Sequence, residues 1–285
     1  MKRKIALSVG SGKKGVTREH FAAYFAAGIE AVELSLGSLT LSDAYRALDF
    51  EAIVESARAE GVEVWSFHLP FAPFEEVNIA SLDENIRTRT VRELSDIIRR
   101  VAKTGVSLFV IHPSAEPNEE KDRAQHMAQA KRSLAALAAV AKESGARIAV
   151  EDLPRSCLGN CSEEIRELIS ADPELRVCFD TNHLLFEDPV CFVRALGDRI
   201  ATVHVSDYDF VNERHWLPGE GKADFYAMLA ALDEVGYRGP WLYEIGLETP
   251  KSIARERELT LSDFVKNANE IFEGLPLTVI GRPLV

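Results

Sequence analysis

Short apolar runs alternate eight times with longer stretches whose apolar residues recur at three- and four-residue spacing along the 285-residue chain. The first kind of run predicts strands and the second amphipathic helices. Strands are expected at 4–10, 31–37, 62–70, 107–114, 147–154, 176–183, 200–207 and 239–246. Helices are expected between them, at 17–27, 43–60, 83–104, 121–144, 162–170, 188–196, 223–236 and 259–273. The strand runs are β-branched or aromatic and apolar on both faces, as strands buried in a parallel sheet are. Gly28, Gly61, Gly105, Gly145, Gly197 and Gly236 each close a helix just before the next strand. Ser162 is expected to cap its helix, with Glu163 and Glu164 at the positive end of the dipole and Ile165 where a capping box would need Glu or Gln.

Eight βα units without a Pro-, Gly- or Ser-rich divider predict an α/β chain folded as a single (β/α)8 TIM barrel over residues 1–274. Residues 275–285 form an apolar, Pro-containing tail, expected to pack on the barrel or to serve as an arm in a homo-oligomer. The N-terminal MKRKIALSVG carries the charges of a signal peptide but too short an apolar run, and no segment approaches the ~20 apolar residues of a membrane span. A soluble cytoplasmic protein is therefore expected, with Cys157, Cys161, Cys178 and Cys191 as reduced thiols. The formal charge of −12 disfavours a nucleic-acid partner, because such binding depends on Lys and Arg neutralising phosphates.

The chemistry gathers at the strand ends. His68, His112, His183 and His204 end expected strands, and His215 lies in the loop after the seventh, whereas His20 and His126 fall within helices. Glu151, Asp180 and Glu244 end strands five, six and eight. One polar residue at a strand end reads as an ordinary satisfied group. Three carboxylates in apolar runs, beside five imidazoles, call for a cation, since a buried unpaired carboxylate is costly. Mixed carboxylate and imidazole donors suit a divalent ion: Mn, Zn, Co, Fe or Mg.

Glu151, Asp180-x-x-His183, His204-x-x-Asp207, Arg214-His215 with Pro218-Gly219-Glu220-Gly221, and Glu244 together resemble the xylose-isomerase-like barrel superfamily. That superfamily holds sugar phosphate isomerases and epimerases, ketose 3-epimerases, inosose dehydratases and type IV apurinic-site endonucleases. The resemblance implies one divalent ion held by Glu151, Asp180, His204 and Glu244. It implies Glu151 and Glu244 as acid and base on opposite faces of a small carbohydrate, in an isomerase or epimerase acting on a sugar, sugar phosphate or keto-cyclitol. His183 would hydrogen-bond a substrate oxygen, and His68, His112 and His215 would line the pocket. A dehydratase could use the same rim. The endonuclease branch, with three zinc ions, would use His68, His112, Glu151, Asp180, His183, His204, His215 and Glu244. This chain departs from that branch at Glu213, which stands where those enzymes carry Asp, and its acidic balance opposes it too. A sugar-binding barrel without catalysis is a third reading, disfavoured because none of the four ligand positions is substituted.

Four features receive plainer readings. Gly10-Ser-Gly12-Lys-Lys-Gly15 matches a dinucleotide fingerprint but is expected to be an ordinary loop. Pro218–Gly221 is expected to be a turn that positions His215 rather than a phosphate cradle. Glu33 is expected in a barrel ion pair, and Trp65, Phe67 and Phe71 in the core rather than as pocket walls.

Overall fold

The computed structural model describes residues 3–10, 16–35 and 48–284. Its strands β1 (Ile5–Gly10), β2 (Ala31–Ser35), β3 (Glu63–His68), β4 (Leu108–Ile111), β5 (Arg147–Glu151), β6 (Arg176–Asp180), β7 (Ile200–His204) and β8 (Trp241–Tyr243) form one sheet ordered β7-β6-β5-β4-β3-β2-β1-β8. Every ladder in it is parallel. The two end strands meet just beyond their ladders, where Val205 N donates to Leu242 O at 2.8 Å and Glu244 N donates to Val205 O at 3.2 Å. The sheet thus closes on itself. Helices α1 (Arg18–Ala27), α2 (Phe50–Ala59), α3 (Glu84–Ala102), α4 (Arg123–Glu143), α5 (Ser162–Ile169), α6 (Pro189–Leu196), α7 (Phe225–Glu234) and α8 (Leu261–Glu273) alternate with the strands. The expected TIM barrel is the observed fold.

Strand periodicity divides the core in two. Outward residues such as Val32, Phe67, Ile148, Val150, Val177, Phe179, Val203 and Tyr243 pack under the helices. Inward residues are smaller: Ala6, Ala31 and Leu242 cluster with Trp65, and Ala149, Cys178, Val110 and Leu108 cluster with Trp65 and Ala201. Because side chains alternate, the position two residues past each inward plug residue faces in again, now at the carboxyl end of the barrel. Ala149 is thus followed by Glu151, Cys178 by Asp180, Thr202 by His204 and Leu242 by Glu244.

Local details differ from the sequence reading in two places. The helix expected from residue 43 begins, within the described residues, at Phe50, where Asp49 accepts from Ala52 N at 3.0 Å; residues 43–47 lie outside the described residues. Ser162 is the first residue of α5 rather than its cap. Its N–H and hydroxyl both donate to Glu187, at 2.6 and 2.7 Å, so a carboxylate from the next βα loop supplies the capping oxygen. The tail folds back on its own barrel: β10 (Gly281–Pro283) pairs antiparallel with β9 (Ile253–Arg255), Thr278 binds the Glu270 carboxylate, and Leu277 and Ile280 pack against the core.

Candidate metal centre

The positions two residues past the inward plug converge. One ligand atom from each of Glu151, Asp180, His204 and Glu244 lies within 4.8 Å of the others. His204 Nδ1 is 3.0 Å from Glu151 Oε1, 3.4 Å from Glu244 Oε2 and 3.8 Å from Asp180 Oδ2. Asp180 Oδ2 is buried without a hydrogen-bond partner, while its Oδ1 accepts from Asn182 N at 2.7 Å. A buried carboxylate oxygen without a donor, facing two further carboxylates and an imidazole, fits a divalent cation. The protonation pattern agrees. Burial, with the Glu244 and Glu151 charges, pushes the Asp180 carboxyl well above its ordinary value despite His183 and His204. Burial acts against the charged forms of Glu151 and Glu244, yet neighbouring imidazoles hold both below the usual carboxylate range. A cation supplies charge of the same sign from one point.

The histidines are oriented by their second nitrogens. Nδ1 of His68 bonds Leu69 O at 2.8 Å, that of His183 bonds Asp152 O at 2.8 Å, and that of His215 bonds Glu244 O at 3.1 Å. A backbone carbonyl accepts from N–H, so each contact fixes the tautomer that turns Nε2 toward the site. His68 Nε2 then lies 3.0 Å and His112 Nε2 3.3 Å from Glu151 Oε2. Burial opposes charge on His68, but the Glu151 hydrogen bond and nearby carboxylates outweigh it and lift its pKa to about 9. His112, for which burial prevails, is lowered. His183 Nε2 stands 3.3 Å from Glu213 Oε2. Donor atoms of His68, His112 and Glu151 form a second group within 4.8 Å, and those of His183, Glu213 and His215 a third. Glu213 thus stands within 4.8 Å of a ring nitrogen of both His183 and His215.

His204 is held the other way round. Its Nδ1 faces the site and its Nε2 lies 3.0 Å from Glu33 Oε1 beneath it, although the N–H does not point along that line closely enough for an aligned hydrogen bond. Glu33 is fully buried and also accepts from Ser66 Oγ at 2.8 Å and Ser8 Oγ at 3.1 Å. The expected barrel ion pair is thus formed, but with a candidate ligand. Asp152, which the sequence reading passed over, accepts from Asp180 N at 2.7 Å and fixes that strand end; burial raises its pKa to about 8. Its signal was a second acid directly after Glu151 in an apolar run.

Above these groups opens a cavity of about 600 Å³, lined by Glu151, His112, His183, His215 and Glu244 along with Phe71, Phe74, Glu116, Arg155 and Glu213. Phe71 stacks on His112 with ring centres 4.3 Å apart and so forms a wall, whereas Phe67 is core and Trp65 lies deeper, donating to Thr202 Oγ1 at 3.2 Å. The Pro218–Gly221 turn is no phosphate cradle: Gly219 N and Gly221 N donate to Asp207 Oδ2 at 2.8 and 2.7 Å. Gly221 is required there, because a Cβ would collide with Tyr208 O and the Asp207 carboxylate. His215 has a left-handed backbone, φ 51°, rarely adopted outside glycine. Of the Gly10–Gly15 fingerprint, residues 11–15 lie outside the described residues.

A parallel barrel whose strand ends gather carboxylates and imidazoles under one cavity defines the class of protein. Residues 21–262 match the xylose isomerase-like TIM barrel family, and the chain belongs to it. It is 27% identical over 208 residues to the uncharacterized protein MJ1311 of Methanocaldococcus jannaschii, covering 70% of each. It is 25% identical over 191 residues to a probable endonuclease 4 of Thermoplasma acidophilum, covering 61% of this chain and 64% of that one. Among solved structures it resembles a D-tagatose 3-epimerase-like protein (TM-score 0.73, 23% identity, 94% of this chain and 96% of that one). It also resembles L-ribulose 3-epimerase (TM-score 0.75, 19% identity, 96% and 94%).

Proposed function

We propose that this chain is a metal-dependent isomerase or epimerase of a sugar, sugar phosphate or keto-cyclitol, with Glu151 and Glu244 as its acid and base. The observation that carries the reading is the convergence of Glu151, Asp180, His204 and Glu244 beneath a cavity of about 600 Å³, the size of a small-ligand site. Glu151, Asp180, His204 and Glu244 would hold one divalent ion, which when bound polarises a substrate carbonyl and acidifies the adjacent C–H. Glu244, whose side chain is 26% exposed beside a 1% exposed Glu151, presents the more open oxygen to the cavity and takes that proton. Glu151, ionised and 3.0 Å from His68 Nε2, relays to the other face a proton drawn from the His68 imidazolium, and the proton taken by Glu244 passes to solvent through the cavity. His215, its Nδ1 held by Glu244 O, keeps Nε2 free to position a substrate oxygen. Phe71 and Phe74 help exclude water.

Glu244→Gln should lower kcat by roughly 10²- to 10⁴-fold on the accepted substrate while the thermal midpoint stays near that of the parent. Retained turnover would remove the acid–base assignment. The second and third donor groups favour one rival, incision at abasic sites, as the likeness to a probable endonuclease also does. That reading predicts zinc in all three groups and cleavage of a duplex carrying an abasic site. Elemental analysis near one ion per chain, with the duplex intact, decides against it.

A further inference from the structure

Among the described residues lining the cavity, Arg155 is the one Lys or Arg, and its charge is already matched. Its Nη2 and Nε donate to the two oxygens of Glu116 at 2.6 and 3.1 Å, and its Nη1 donates to Glu213 at 2.9 Å and Asn212 at 2.8 Å. Four of the five N–H donors of a guanidinium are thereby used. Arg155 itself has a left-handed backbone, φ 52°, and its carbonyl accepts from Asn160 Nδ2 at 2.8 Å, so the group is held in place. The clamp joins the loops after β4, β5 and β7, and its Glu213 carboxylate also faces His183 Nε2 at 3.3 Å. The nearby turn that could have received an anion spends the amides of Gly219 and Gly221 on Asp207.

We propose that this pocket selects an uncharged polyhydroxy carbonyl compound over its phosphate ester, with the Arg155–Glu116–Glu213 clamp as the specificity-determining element. The inference rests on the isomerase or epimerase reading and narrows it. A phosphate entering beside the clamp would meet carboxylates of like charge and a guanidinium with one donor left, and like charge rejects a wrong ligand more effectively than missing contacts do. Hydroxyl groups suffer no such penalty and can bond to the carboxylate oxygens.

The test measures Kd and kcat/KM for D-fructose, D-tagatose, D-psicose and D-fructose 6-phosphate with the metal-loaded full chain. The ester should be at least roughly tenfold poorer than the best free ketose. Glu116→Gln, which removes one carboxylate from Arg155, should narrow that gap. An ester accepted as well as or better than the free ketoses overturns the selection and leaves the isomerase or epimerase reading standing. A gap unchanged in Glu116→Gln overturns the clamp as its cause. Failure of every free ketose to bind, with an abasic duplex incised, overturns both the selection and the reading beneath it.

Discussion

Asp207 accepts four backbone N–H groups, from Tyr208 at 2.8 Å, Gly219 at 2.8 Å, Gly221 at 2.7 Å and Ala223 at 3.1 Å. The carboxylate is buried, so the loop that carries His215 is folded around it. Asp207→Ala would strand these amides and should cost about 3 kcal/mol or more in urea unfolding, with Asp207→Asn milder because an amide oxygen still accepts. The sequence placed Asp207 three residues past His204, and this spacing was readable; that its partners were the glycines of the Pro218–Gly221 turn was not. Glu33 shows the same limit. An acid in an apolar run announces a partner, but its partner, His204, lies across the barrel interior, and no local pattern encodes that distance. Glu151, Asp180, His204 and Glu244 were legible as polar strand ends, because each closes an apolar run; that their side chains converge is a property of the closed barrel and not of any local pattern.

Helix α8 shows how much an element's ends depend on a few side chains. Thr260 and Asp263 form a reciprocal capping box, with Thr260 N donating to Asp263 Oδ2 at 2.7 Å, and Arg257 donates to both Asp263 oxygens at 2.7 and 2.8 Å. The Arg257 hydrogen bonds, against some burial and with help from Thr260, hold the Asp263 carboxyl well below its ordinary 3.8. A depressed carboxylate contributes stability that is complete above its ordinary pKa and disappears as pH falls through the lower, folded value. Asp263→Asn should therefore cost about 1 kcal/mol near neutral pH, and the gap from the parent should shrink on acidification below 3.8. A gap constant down to the acid limit, followed by denaturant titration, would detach the effect from the charge. Helix existence was readable from periodicity and from glycine stops. The start of α5 was not, since its capping oxygen comes from Glu187, a residue 25 positions away in sequence.

At the scale of the whole molecule, the eightfold alternation was sufficient for the barrel, because a repeated local unit has few ways to close. The tail was less legible. Its apolar character suited its own barrel and a second subunit equally; within the chain it pairs with β9, which the fully buried Arg255–Glu220 ion pair anchors to the Pro218–Gly221 turn, with Nη2 2.6 Å from Oε2. Removing Glu220 would leave Arg255 charged and buried without a counter-ion, the situation in which a buried pair matters most.

The closure of the sheet has one further consequence. Strands β7 and β8 share no ladder, and the ring is completed by two main-chain bonds at Val205 and Glu244, immediately beside His204 and the Glu244 carboxylate. An ion gripped by both residues would rivet the weakest joint of the hoop. Deuterium uptake at the amides of Val205 and Glu244 should slow on metal saturation while the β4–β5 ladder keeps its rate, and equal slowing everywhere would point to global stabilisation instead. Stripping the ion would then unfasten the hoop at the same place where it disables the chemistry.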